Sequence, residues 1–117
     1  MNERNYSVVV CMALAAMVSL GISSVASAAD EAAARNLARQ SNCFKCHSVE
    51  KKKDGPAWKE VGIKYQGKAD AEAIVTKHIT SGEKVKFEDG HEEEHTIVKS
   101  KDPNEIKNLV EWILSLR

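Results

Sequence analysis

Methionine is missing from most of this chain, since Met1, Met12 and Met17 are the only three. All three lie in a segment that looks cleaved, so the mature chain would offer a metal no thioether sulfur. Cysteine is also scarce: only Cys43 and Cys46 lie beyond that segment, and a tetrahedral zinc site lacks the second C-x-x-C pair that four ligands require. The 17 basic and 17 acidic residues cancel, so no strong overall field points to nucleic acid or to an anionic membrane.

The first 28 residues have the pattern of a secretory signal peptide. A weakly basic start, with Arg4 offset by Glu3, precedes an apolar run from residue 8 to residue 22, and Ala26-Ser27-Ala28 then forms an A-x-A cleavage site. The run of about 15 residues is shorter than the ~20 that span a bilayer, which disfavours the alternative of an uncleaved membrane anchor. We therefore expect a cleaved signal peptide over 1–28, export to the periplasm, and one small domain over 29–117.

Four segments of that domain have the caps and the apolar spacing of helices. Asp30 and Asp70 are the predicted N-caps of the first and third, and residues 57–65 form a short second helix. Asp102-Pro103-Asn104-Glu105 opens the last, which should pack against the first. Residues 83–101 show neither a helical nor a strand period and are predicted to form a long loop. The fold class is therefore all-α, with about four helices around one site.

Cys43-Phe44-Lys45-Cys46-His47 is the strongest motif in the chain. It reads C-x-x-C-H, the attachment signature of a c-type haem. Each thiol can add across one vinyl group, and His47 then falls under the iron as the first axial ligand. The alternatives are a thioredoxin-like redox pair, which should follow a strand in a βαβ pattern that is not found here, and half of a zinc site. The motif predicts one covalently attached haem c, which would fill much of a small core.

With this motif, the chain resembles the class I cytochromes c, and in particular the small bacterial c-551/c-552 type. The other matching segments are Gly55-Pro56-Ala57-Trp58, Ala71-Glu72-Ala73 and Trp112-Ile113-Leu114-Ser115. The resemblance implies the cytochrome c fold, in which helices wrap around one haem. It also implies that the carbonyl oxygen of Pro56 accepts a hydrogen bond from the proximal imidazole.

Two further residues have expected places in such a site. Trp58 fits the wall of the haem pocket, although a plain core position is the simpler interpretation. His78 matches a position from which the family often reaches a haem propionate, and a histidine there could couple proton and electron uptake. A position packed at the edge of the core remains the alternative for His78.

The chain departs from the family where a methionine normally binds the iron from the distal side. Counting forward from Gly55-Pro56 places the ligand at Glu92, and counting back from Asp102 places it near Thr96, so the loop carries an insertion. His95 is the expected sixth ligand, because Thr96-Ile97-Val98 could press the loop onto the haem. His91, next to acidic residues that prefer water, is the second choice. An open, water-bound or lysine-bound iron remains possible, and a zinc site at His91 and His95 would need a helix and a third ligand.

These features together predict a single-electron carrier between larger redox proteins, with two histidine ligands and a low potential, and not an enzyme. The alternatives are a haem sensor or small-ligand binder with an open or displaceable distal site, and a haem c subunit of a dehydrogenase complex. Four lysines near the motif could form a docking ring at the haem edge, or simply a solvated face: Lys45, Lys51, Lys52 and Lys53. The acidic segment 88–94 should then mark a different face.

Overall fold

The computed structural model describes residues 28–117, so the predicted signal peptide lies, except for Ala28, outside the described residues. Within them the chain forms four helices and one short β-hairpin. The elements are α1 (Glu31–Gln40), α2 (Trp58–Lys64), α3 (Ala71–Thr80), β1 (Lys84–Lys86), β2 (Glu92–Glu94) and α4 (Pro103–Ser115), with a 3₁₀ turn at Cys43–Lys45. All four predicted helices are confirmed. None of the described helices has the length and hydropathy needed to cross a membrane.

Helices α1 and α4 pack together, as predicted, and hold the two ends of the domain in place. Ala34 and Ala38 of α1 are 1% and 0% exposed and Val110 of α4 is 0% exposed, so small side chains let the two backbones approach closely. The side chain of Asn108 joins the helices further: its Oδ1 accepts from the Asp30 amide at 2.7 Å, and its Nδ2 donates to the Asp30 carbonyl at 2.9 Å.

Helix α4 also contacts α2 and α3, and these contacts position the wall of the central cavity. A Cβ at Gly62 would lie 2.2 Å from the carbonyl oxygen of Leu116, so only glycine lets α2 lie directly against the end of α4. Trp58 of α2 meets Trp112 of α4 edge-to-face at 5.4 Å between ring centroids. Both indoles are buried, so the first turn of α2 is fixed against the core by a well-packed aromatic pair.

The loop predicted for residues 83–101 was wrong in part, because β1 and β2 form an antiparallel hairpin there. The strands have three residues each and no apolar alternation, which is the usual strand signal. The two strands are instead complementary in charge: Lys84 lies opposite Glu94, and Lys86 lies opposite Glu92. Opposite charges directly across an antiparallel pair stabilise it, so this complementarity was the signal in the sequence that could have revealed the hairpin.

One of the predicted helix caps differs from the structure. The side chain of Asp70 makes no capping hydrogen bond to α3. Asp102 does cap α4, since its carboxylate accepts from the Asn104 amide at 2.8 Å, and Glu105 does not bond back to the Asp102 amide. Glu105 instead accepts a hydrogen bond from the hydroxyl of Ser100, and that hydroxyl in turn accepts from the Asp102 amide at 3.0 Å.

Candidate functional site

A cavity of about 740 Å³ lies between α2, α3, the hairpin and the C-x-x-C-H segment. Its volume falls in the range of protein sites that bind cofactors. Apolar side chains supply most of the wall. The chemistry-bearing residues that line it are Cys43, Cys46, His47, Trp58, His78, Glu83 and His95.

The 3₁₀ turn brings the two cysteines and His47 to one side of this cavity. The turn begins after Asn42, which has a left-handed backbone at φ 58°, and the amides of Cys46 and His47 both donate to the carbonyl oxygen of Cys43, at 3.2 and 3.0 Å. Burial raises the pKa of the Cys43 thiol. Reactive dithiol pairs have a lowered cysteine pKa, so this environment does not favour the thioredoxin-like alternative.

His47 is held in one orientation and one tautomer. Its Nδ1 donates to the carbonyl oxygen of Pro56 at 2.8 Å, so in the neutral ring Nε2 carries no proton and has a free lone pair. Its ring stacks on Trp58 at 5.7 Å between centroids. On its other side the backbone of Gly55 comes so close that a Cβ there would lie 2.5 Å from Cε1 of His47. Burial lowers the pKa of His47, which favours the neutral form that can bind a metal.

His95 also lines the cavity, and its ring is held by a backbone carbonyl in the same way as that of His47. Its Nδ1 donates to the carbonyl oxygen of Thr96 at 2.9 Å, so its Nε2 is also free. Its pKa is lowered by burial and then by nearby His78 and His47. The ring centroids of His47 and His95 are 6.1 Å apart. Two metal–nitrogen bonds of about 2 Å, with about 1.2 Å from each nitrogen to its ring centre, span about 6 Å, which is close to this separation.

His91 lies outside this arrangement, at the exposed tip of the hairpin. Its Nδ1 is paired with the carboxylate of Asp89, its Nε2 lies 3.2 Å from that of Glu93, and its ring stacks on Phe87 at 4.3 Å. The hydrogen bond to Asp89 raises the pKa of His91. Both nitrogens are therefore engaged by carboxylates, and within residues 28–117 no group of three or more His, Cys, Asp or Glu residues is arranged to hold a metal ion.

His78 packs against His95, with their ring centroids 4.1 Å apart. Its Nδ1 lies 2.6 Å from the carboxylate of Glu83. Glu83 and Phe87, which also line the cavity, were not predicted from the sequence. A glycine at the end of α3, with an acidic residue directly after it, was the available signal for Glu83.

The expected anchor after His95 is smaller than predicted. Val98 is buried, and its amide donates to the carbonyl oxygen of Ile79 at 2.9 Å. Ile97, however, is 53% exposed, and it lies beside Gly82 at the end of α3. A single buried valine, rather than an apolar step of two residues, therefore fixes this side of the segment.

The expected separation of basic and acidic faces is wrong at one contact. Lys52 forms an ion pair with Glu88 at the tip of the hairpin, so the lysine segment and the acidic segment meet. Lys53 is also engaged, because its Nζ donates to the carbonyl oxygen of Phe44 at 2.6 Å. Lys45 and Lys51 are exposed.

Comparison with known proteins gives consistent relatives across the domain. The family model described as cytochrome c matches residues 31–117. Cytochrome c-551 of Pseudomonas denitrificans is 36% identical over 75 residues, which are 64% of this chain and 87% of that protein. Cytochrome c2 of Rhodocyclus tenuis is 39% identical over 90 residues, which are 76% of this chain and 95% of that protein.

Solved structures agree with these sequence matches. The class 1 cytochrome MtoD of Sideroxydans lithotrophicus ES-1 is 63% identical, has a TM-score of 0.72, and is matched over 75% of this chain and 97% of its own. Cytochrome c552 of Nitrosomonas europaea is 34% identical, has a TM-score of 0.59, and is matched over 71% and 99% respectively. The predicted all-α cytochrome c fold and the resemblance to the small c-551/c-552 type are therefore confirmed.

The relatives also establish the cofactor and the general role. Cytochromes c carry one covalently attached haem c. They interact with redox partner proteins, and they are electron carriers rather than enzymes. The cavity lined by the C-x-x-C-H segment is large enough for that group. The chain belongs to the cytochrome c family and is a monohaem c-type electron carrier.

Proposed function

We propose that this protein carries single electrons in the periplasm with a haem iron bound by His47 on one side and His95 on the other. The observation that carries this proposal is the pairing of the two rings. Their ring centroids are 6.1 Å apart beside one cavity, and each ring has its Nδ1 engaged by a backbone carbonyl. His91 has both nitrogens engaged by carboxylates outside the cavity, so the geometry favours His95 as the distal ligand.

The covalent attachment would involve Cys43 and Cys46. Each S–H group would add across one vinyl group of the haem, so that one C–S bond forms and the proton goes to the neighbouring carbon without an oxidant. The carbonyl oxygen of Pro56, 2.8 Å from Nδ1 of His47, would make that imidazole a stronger donor to iron and fix its plane. Trp58, stacked on His47, would close the same side against water.

The iron supplies the electron chemistry, and the protein sets its potential. No methionine lies between residues 28 and 117, so the high potential of Met/His ligation is not expected. An imidazole in place of a thioether stabilises the ferric state, and axial ligands change haem potentials over a range of about 0.8 V. We therefore expect a potential well below that of methionine-ligated relatives.

The proposed location and docking surface have separate support. The apolar run and A-x-A site at the start of the chain support export, and small bacterial cytochromes c of this kind are typically periplasmic. For docking we propose Lys45 and Lys51, which are exposed near the C-x-x-C-H segment. They would attract an acidic face of a redox partner and raise the association rate. Lys52 and Lys53 are less available, because both have partners within the chain.

Replacement of the two histidines of the hairpin region tests the ligation. In protein matured with covalent haem, His95→Ala should convert the ferric iron to high spin and let the ferrous iron bind carbon monoxide. His91→Ala is the matched control, since the same residue is removed four positions away, and it should leave the spectrum unchanged. The reverse pattern would assign the ligand to His91, and low-spin iron in both variants would point to a lysine.

A further inference from the structure

Glu83, just after α3, is connected to His95 both through its backbone and through its side chain. The chain turns at Gly82, which has φ +65°, and Glu83 follows directly. Its backbone carbonyl accepts from the His95 amide at 2.9 Å. Its carboxylate lies 2.6 Å from Nδ1 of His78, whose ring packs on that of His95 at 4.1 Å between centroids.

We propose that Glu83 and His78 form a positioning pair for His95, in which the carboxylate orients the His78 ring, the ring fixes the plane of the distal imidazole, and the negative charge stabilises ferric iron. The inference rests on the proposed ligation of iron by His95. It assigns a role to a residue that does not itself reach the iron. It also gives His78 a function other than contact with a propionate.

The geometry explains how the pair can act on the imidazole plane. The planes of His47 and His95 are 51° apart, and those of His78 and His95 are 47° apart. A carboxylate on Nδ1 holds the His78 ring at one rotation, because the hydrogen bond at 2.6 Å requires the N–H to point at the oxygen. The His95 ring, with Thr96 on its Nδ1 and His78 on its face, then has little freedom to rotate.

The charge of Glu83 acts in a defined direction. A glutamate has an ordinary pKa of about 4.3, so its carboxyl is ionised at neutral pH. A negative charge near the iron favours the ferric over the ferrous state. The side chains of His78 and Glu83 are 37% and 41% exposed, so water weakens the effect of this charge on the iron. Lys77 is a positive charge near Glu83 and partly offsets it.

Three variants separate the two roles. Glu83→Gln keeps an acceptor for Nδ1 of His78 but removes the charge, whereas Glu83→Ala removes both. Glu92→Gln is the matched control, because it removes one negative charge from the neighbouring hairpin. Glu92 is exposed and lies opposite Lys86. The holoproteins would be compared by potentiometric titration and by electron paramagnetic resonance of the ferric state, at a fixed pH of about 9, well above the ordinary histidine pKa of about 6.5.

We expect Glu83→Gln to shift the ferrous-to-ferric ratio at a given potential by roughly threefold to tenfold toward ferrous, which is about 30 to 59 mV, with unchanged g values. Glu83→Ala should show a similar shift together with altered g values, because the spread of g values follows the angle between the imidazole planes. Glu92→Gln should show neither. A low-spin bis-imidazole wild type whose two Glu83 variants match Glu92→Gln would overturn this inference alone. A high-spin wild type would overturn the ligation and the inference together.

Discussion

The contact between Gly55 and His47 makes a sharp test of how the proximal side of the site is built. In Gly55→Ala the new methyl group would lie 2.5 Å from Cε1 and 2.8 Å from Nδ1 of His47. Ordinary contacts between carbon atoms are about 3.5–4.0 Å, so the ring or the backbone must move by about 1 Å. Such a shift also disturbs the 2.8 Å hydrogen bond to Pro56. Overpacking costs about 1–3 kcal/mol and a lost hydrogen bond about 1 kcal/mol, so we expect a loss of about 2–4 kcal/mol.

Denaturant unfolding of the holoprotein measures the free energy of unfolding, in which this loss should be seen. The ferric spectrum reports the iron–His47 bond. Gly67→Ala is the matched control, because Gly67 has φ +74° and a Cβ there would meet nothing within 4 Å. It should lose about 1 kcal/mol from backbone strain alone and keep the wild-type spectrum. Equal stability of the two variants, with identical spectra, would refute the idea that Gly55 is required for the placement of His47.

Three further predictions concern the frame around the site. Leu109→Ala should lower the free energy of unfolding by about 2–5 kcal/mol, because Leu109 is 1% exposed, and denaturant unfolding measures this. Asp102→Ala should cost about 0.5–2 kcal/mol by the same assay, since its carboxylate caps α4 at the Asn104 amide. Asp89 raises the pKa of His91, so this stabilisation is complete below the ordinary histidine pKa of about 6.5 and is lost as pH rises through the raised pKa. The thermal midpoint of the wild type should therefore fall between pH 6 and pH 9, and it should fall less in His91→Ala.

The helices were predictable because their signals are local. Asp30 and Asp102 cap helices whose apolar residues recur at helical spacing, and both accept hydrogen bonds from first-turn amides. Asp70 had the same sequence signal, yet it makes no capping bond, so a residue type alone does not fix its side-chain contact. The hairpin was missed because its strands are short and show complementary charges, such as Lys84 opposite Glu94, rather than apolar alternation.

The candidate site was predictable only as far as spacing determines it. The C-x-x-C-H motif locates Cys43, Cys46 and His47, while the loop leaves two histidines for the distal side. The choice between them depends on the hairpin turn, which carries His91 outward against Asp89. Contacts made across the fold, such as the ion pair between Lys52 and Glu88, depend on where two separate loops meet, and no local pattern encodes that meeting.

The measurement that tests the central proposal most directly is the low-temperature electron paramagnetic resonance spectrum of the ferric wild-type holoprotein, with its optical spectrum beside it. The separation of 6.1 Å between the ring centroids of His47 and His95 predicts a low-spin signal with two imidazole ligands and no far-red absorption band from an iron–thioether bond. A high-spin signal, which indicates an open or water-bound distal position, would contradict the proposal.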